Sequence, residues 1–309
     1  MPSPLAHTFG IWLIAQFFQA ILFGMGLLQV YLYFLWYNKD SWGIKSVVIL
    51  MTVLESVQTG TYFSATYKLL IDDFGNFEAL SLFPWQALAQ LEALYMATWV
   101  AETYFAYCIY LLHKRRPLLP CIIAFLALIG FGGGTAQVVL GHNIKKFAEL
   151  PTTSAASNTQ AALALTCDVL ITIGLCWRLN SSRTGIQSTN QLLNFLIMTA
   201  INRGLFTMIT ALLNLVLFLT QPGTFYFMLS LLLSGKFYMN SMLAMLNTRQ
   251  HAHSIGKFAA SHGGEVISMP AFPSTASASE APAPGGVNVS VRVRRDHDLD
   301  ETKTKPGSF

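Results

Sequence analysis

Apolar residues gather into seven long runs, separated by short polar stretches, and a polar tail follows the last run. A bilayer crossing takes about 20 mainly apolar residues in a helix, and each run meets that length. The runs cover about 9–37, 46–66, 86–112, 118–140, 159–177, 191–219 and 225–250. The first carries no charge and closes on YLYFLWYN, an aromatic belt of the kind found at a membrane interface. The last, FYFMLSLLLSGKFYMNSMLAMLNTRQ, carries Lys236 close to its middle. These patterns predict an all-α polytopic membrane protein, a seven-helix bundle over residues 1–251.

The tail from 252 to 309 is rich in Ser, Ala, Pro and Gly and ends in the mixed-charge run RVRRDHDLDETKTK. It has too few apolar residues to build a core and is expected to be disordered. Its Arg292, Arg294 and Arg295 face nearby Asp296, Asp298, Asp300 and Glu301, so a solvated tail is favoured over a lipid-binding one.

Basic residues in the short loops set the expected orientation. Lys39, Lys45, Lys114, Arg115, Arg116, Arg178 and Arg183 follow the first, third and fifth runs. Lys68, Lys145 and Lys146 follow the second, fourth and sixth. The N-terminus is therefore expected outside or in a lumen, and the tail in the cytosol. The sequons at Asn180 and Asn288 then lie on the cytosolic side and should stay unglycosylated. The first ten residues, MPSPLAHTFG, have no basic segment ahead of the first run, which favours an inserted anchor over a cleaved signal peptide.

Composition agrees and narrows the choice of function. Hydrophobic residues make up 53% of the chain and charged residues 11%, against roughly 25% charged in soluble domains. No basic aromatic patch suited to nucleic acid is present. Cys108, Cys121, Cys167 and Cys176 all lie inside apolar runs, which makes buried thiols the default reading. His7, His113, His142, His251, His253, His262 and His297 all lie outside the runs, which removes intramembrane haem and di-iron ligand sets. There is no Gly-x-Ser-x-Gly elbow. No catalytic residue, metal site or cofactor is expected, and the chain reads as a non-enzyme.

The polar groups inside the runs are where any chemistry must lie, because ionisable side chains are costly in hydrocarbon. Thr52, Glu55, Thr59 and Tyr62 share one helical face of the second run. Glu92, Tyr95, Trp99 and Glu102 fall on a broad face of the third, Asp168 and Thr172 on the fifth. Thr199, Arg203, Thr207, Thr210 and Asn214 mark one face of the sixth, Lys236 and Asn240 one face of the seventh. These stripes are expected to meet around one interior pocket bounded by Glu92, Glu102, Asp168, Arg203 and Lys236, with Glu55 and Asn240 beside it. Four acids (Glu55, Glu92, Glu102, Asp168) meet two bases (Arg203, Lys236), so two acids remain protonated, hydrated, or matched by a cationic ligand. The plainer reading weighs equally: the two bases hold helices together and do nothing else.

Other assignments fit less well. A lysine in a seventh helix is where a retinal Schiff base would sit, with Glu92 or Glu102 as counter-ion, but Phe237, Tyr238, Met239 and Asn240 form no aromatic cage. The third run ends in YLLHKRRP rather than the acidic-Arg-aromatic triplet of a G-protein-coupled receptor, and the seventh has FYMNSMLAMLN rather than an Asn-Pro-x-x-Tyr motif. A carrier would often show an internal repeat, and none is evident. Gly130 and Gly134 match a close-packing spacing, used either within the bundle or on a dimer face.

One stretch resembles a known family. TCDVLITIGLCWRLNSSRTG, STNQLLNFLIMTAINRGLFTMITALLNLVLF and SGKFYMNSMLAMLNTR, within about 164–251, are similar to a domain of unknown function common in integral membrane proteins of basidiomycete fungi. The most specific piece places Lys236, Tyr238, Asn240, Ser241, Leu243, Leu246, Asn247 and Arg249 on that motif. The resemblance implies a seven-span, receptor-like layout and supplies no activity. The expected partners are the lipid bilayer, an unknown small-molecule ligand, and a cytosolic protein at the 113–116 loop and the tail. The competing expectation is a small-solute or proton-coupled carrier titrating through Glu55, Glu102 and Asp168.

Overall fold

The computed structural model describes residues 7–82, 84–112, 116–144, 146–181, 187–221 and 224–261. All of them belong to one unit. Seven long helices appear among them: α1 Phe9–Trp36, α2 Trp42–Tyr67, α4 Trp85–Leu112, α5 Leu118–Asn143, α6 Ser154–Ser181, α7 Gln187–Thr220 and α8 Tyr226–Ser261. A single turn of helix, α3 Phe77–Leu80, lies in the connection between α2 and α4. No strand is found among the described residues; one isolated antiparallel bridge pairs Leu82 with Lys146 and joins two loops on the same side.

The helices form a ring in the order α1, α2, α4, α5, α6, α7, α8, closed by α8 against α1. α4 also touches α6 and α8, so it is the inner helix. Its sixteen buried residues run along nearly the whole length, from Ala87 to Ile109. The outer helices show the reverse. Only 22% of the most apolar window of α1 is buried, and Leu13, Phe17, Ile21 and Leu28 stand exposed on it. An apolar surface that extensive, repeated on α2, α5, α6 and α7, requires lipid rather than water. The protein is a multi-pass helical membrane protein.

Five helices are both long and apolar enough to cross a membrane: Phe9–Trp36, Leu118–Asn143, Pro151–Ser181, Leu193–Asn214 and Tyr226–Thr248. The seven expected spans are thus only partly matched by apolarity. α2 and α4 have the length, 26 and 28 residues, without the hydropathy. The reason differs between them. α4 is shielded by its neighbours and has little lipid to satisfy. α2 carries many hydroxyls that bond back onto their own helix, Thr52 to Val48 O, Ser56 to Thr52 O and Thr61 to Val57 O, at 2.7 Å each. Such bonding lowers hydropathy while leaving no donor bare.

The connections follow local chemistry. α2 ends in a wider turn, Lys68–Asp72, and the chain reverses at Gly75, whose φ of +81° suits glycine. Asn76 then caps α3 by accepting from Ala79 N at 3.1 Å. α8 departs from expectation at its far end. It continues to Ser261, ten residues into the stretch read as tail. HAHSIGKFAAS holds no proline, and its single glycine is a tolerable cost in a helix already propagating. The rest of the tail, 262–309, the second sequon at Asn288 and most of the basic 113–116 loop lie outside the described residues.

Candidate functional site

Lys236 is fully buried, and its ammonium has three acceptors. It donates to Glu55 Oε2 at 2.5 Å, to Thr59 Oγ1 at 2.8 Å and to Gln58 Oε1. The three acceptors occupy one face of α2, so this contact fastens α8 to α2. One turn along α8, Asn240 Nδ2 donates to Leu22 O at 3.0 Å, and Asn247 Nδ2 donates to Gln29 O at 2.9 Å. Both steps are seven residues, so α1 and α8 run parallel in heptad register. Lys236, Asn240 and Asn247 therefore form a seam that closes the ring, with every ammonium proton of Lys236 committed.

A second polar centre lies on the opposite face of α8. Arg203 Nη2 contacts Asp168 Oδ1 at 2.8 Å, and the Tyr238 hydroxyl donates to Asp168 Oδ2 at 2.6 Å. One carboxylate thereby ties α6, α7 and α8. The guanidinium lies 3.9 Å from the centroid of the Phe105 ring on α4, a stacked arrangement that suits arginine. Glu102, one turn below Thr98 on α4, is 2% exposed and sits within electrostatic range of Asp168 and Arg203. Its Oε1 has no hydrogen-bond partner among the described residues.

A cleft opens directly above this centre, between α4, α6, α7 and α8. Thr98, Asp168, Thr207 and Tyr238 form its floor; Gln160, Asn214 and Ser230 lie toward its mouth. Its volume is about 40 Å³. That is room for a few waters. α4, α6 and α8 begin and α7 ends at the mouth, on the side where His7 O accepts from Phe225 N at 3.1 Å. Below the floor a void of about 10 Å³ lies beside Arg203, Phe105 and Ser241.

The predicted site residues thus divide. Glu102, Asp168 and Arg203 come together. Lys236, Glu55 and Asn240 form the separate seam, because Lys236 and Tyr238 are about 200° apart around α8. Glu92 goes elsewhere again: Thr135 on α5 donates to its Oε1 at 3.1 Å, and it lines a surface groove with Trp85, Val139 and His142. A single pocket bounded by all five charged residues is not what the chain forms. The broad polar face expected on the third run is split, with Glu92 and Trp99 turned to α5 and Glu102 turned inward; Trp99 stacks on Phe131 at 5.5 Å.

Smaller expectations also resolve. Gly134 lies under Tyr95, where an added Cβ would stand 2.5 Å from the ring, and Gly130 faces Leu163 of α6. That glycine pair is used within the bundle. Cys121 is exposed on α5, while Cys108 and Cys167 are buried as expected. His142 falls in the last turn of α5 rather than in a loop. Neither Gln58, expected only as part of a polar Gln58-Thr59-Gly60 motif, nor the face formed by Ser230, Ser234 and Tyr238 had been given a site role. Their spacing of four residues was the available signal.

Comparison with protein families finds one match: residues 164–251 fit a family of unknown function (DUF6534). The matched segment supplies Asp168, Arg203, Lys236 and Tyr238, so it carries both polar centres apart from the α2 and α4 side chains that complete them. No curated protein matches the chain, and no solved structure does.

Proposed function

We propose that the chain is a seven-span, non-enzymatic sensor of receptor-like type, which takes a small molecule into the cleft above Asp168. In this reading α2 and α4 cross the membrane with the five more apolar helices. The N-terminus and the cleft mouth face the outside or a lumen. The 113–116 loop and the tail meet a cytosolic protein. The layout suggested by the motif around Lys236, that of fungal receptor-like membrane proteins, belongs to the same reading.

One observation carries it: a polar cleft inside the bundle ends on a carboxylate that joins three helices. A molecule seated there touches α4, α6, α7 and α8 together, so its binding energy can bias how they pack. The Lys236 seam supports the division of labour, since it holds α1, α2 and α8 as a fixed frame. A second reading, a proton-coupled carrier, is favoured by Glu102, a buried carboxylate with an unpartnered oxygen just beneath the cleft.

The test uses the full chain in lipid nanodiscs and in sealed liposomes. A sensor gives saturable ligand binding that raises the unfolding temperature and shows no solute or proton flux. Flux that disappears in Glu102→Gln assigns the carrier instead. Absence of any saturable small-molecule binding refutes the cleft as a site.

A further inference from the structure

The hydrogen-bonding sense of the cleft narrows what it can hold. A hydroxyl has one proton to give and two lone pairs to accept with. In this cleft most of those protons are already given. Thr207 donates to Arg203 O at 3.0 Å and Thr210 to Phe206 O at 2.9 Å, each back onto its own helix. Ser234 donates to Leu231 O at 2.7 Å. Tyr95 donates to Gln137 Oε1 at 2.5 Å, and Tyr238 to Asp168 Oδ2 at 2.6 Å. What Thr207, Thr210, Ser234 and Tyr238 still present to the cleft is lone pairs, while the Tyr95 hydroxyl is turned to Gln137 on α5. Thr98 and Ser230 keep rotatable hydroxyls, and Gln160 and Asn214 offer both senses at the mouth.

Charge points the same way. Arg203 matches Asp168, and Glu102 has no cation of its own among the described residues. The donors that Arg203 leaves unpartnered, Nε and Nη1, do not face a cleft ligand: Arg203 lies below the floor, beside the small void with Phe105 and Ser241. An anion would therefore meet lone pairs and a carboxylate.

Resting on the ligand-binding reading above, we propose that the cleft takes a small cationic hydrogen-bond donor, an alkylammonium group seated against Asp168. An ammonium brings three protons and no lone pair, the complement of the floor. Charge-assisted bonds of this type are the stronger ones. The accessible space fits an ammonium head and a short chain.

The experiment compares three probes of similar size, n-butylammonium, n-butanol and butyrate, by saturation-transfer NMR on the full chain in nanodiscs at matched ionic strength. Butylammonium is expected to bind saturably and about tenfold or more tighter than butanol, with butyrate weakest. Binding should vanish in Asp168→Asn, and, should that variant not fold, in Ser230→Trp, which fills the mouth. It should persist in Thr61→Ala on the outer face of α2. Butanol or butyrate binding as well as butylammonium, or butylammonium binding that survives Ser230→Trp, overturns the cation assignment and leaves the cleft a site for some other ligand. Failure of all three probes to saturate removes the ligand-binding reading together with this one.

Discussion

Replacing Lys236 by methionine tests whether the seam closes the ring. Both partners of the pair are fully buried, at 0% side-chain exposure, with Nζ and Oε2 2.5 Å apart. The substitution keeps most of the side-chain volume and removes only the charge and its donors. It leaves the Glu55 carboxylate in the interior beside Gln58, whose Oε1 and Nε2 then both lack a partner. Breaking a buried pair from one side costs about 3–5 kcal/mol, since the remaining charge is uncompensated. Replacing both charges by well-packed apolar side chains is often neutral or better. Lys236→Met/Glu55→Leu should therefore recover most of what Lys236→Met loses, a coupling of a few kcal/mol. Equilibrium unfolding in mixed detergent micelles, followed by tryptophan fluorescence, gives all three values. A loss below about 1 kcal/mol for Lys236→Met, or a double variant no better than the single, would show that the pair does not hold α8 to α2.

The neighbouring contacts give further tests. Gly204→Ala would place a Cβ 2.2 Å from Thr172 Oγ1 and 3.1 Å from its Cβ, so α6 and α7 must separate. A loss of about 1–3 kcal/mol is expected, whereas Gly60→Ala, with nothing within 4 Å, should be neutral or slightly stabilising in the same assay. Arg203→Lys should behave as a damaging change despite its kept charge, because an ammonium cannot both reach Asp168 and stack on Phe105 at 3.9 Å. An unfolding midpoint equal to that of the parent chain would show the stack to be idle. For orientation, an engineered glycosylation sequon in the 147–153 turn should gain sugar while Asn180 stays bare. The reverse pattern would invert the proposed topology.

How much of this was legible beforehand can be judged residue by residue. Helix positions were readable because a run of apolar residues long enough to cross a bilayer has few other fates. α1 ends at Trp36 and α4 at Leu112, within a residue of where the polar breaks fall. The inward face of α7 was readable too: Thr199, Arg203, Thr207, Thr210 and Asn214 keep one spacing, and the middle three are buried. The end of α8 was not, because helix propagation through HAHSIGKFAAS depends on backbone hydrogen bonding that hydropathy ignores.

The division of the charges into separate centres was the least accessible feature, and α8 shows why. Spacing within one helix states which side chains share a face; it says nothing of which neighbour that face meets. Lys236 and Asn240 point to α1 and α2, while Ser230, Ser234 and Tyr238 point to the cleft. A charge count over the whole bundle treats these as one pool and finds two acids in excess. Sorted by centre, Lys236 cancels Glu55 in the seam, Glu92 is satisfied in part by Thr135 at the periphery, and the remaining imbalance is Glu102 beside the Asp168–Arg203 pair. The surplus that pointed to a ligand thereby lies directly beneath the cleft. The chemistry of the cleft and the mechanical closure of the ring can then be separated by mutation, because they use opposite faces of the same helix.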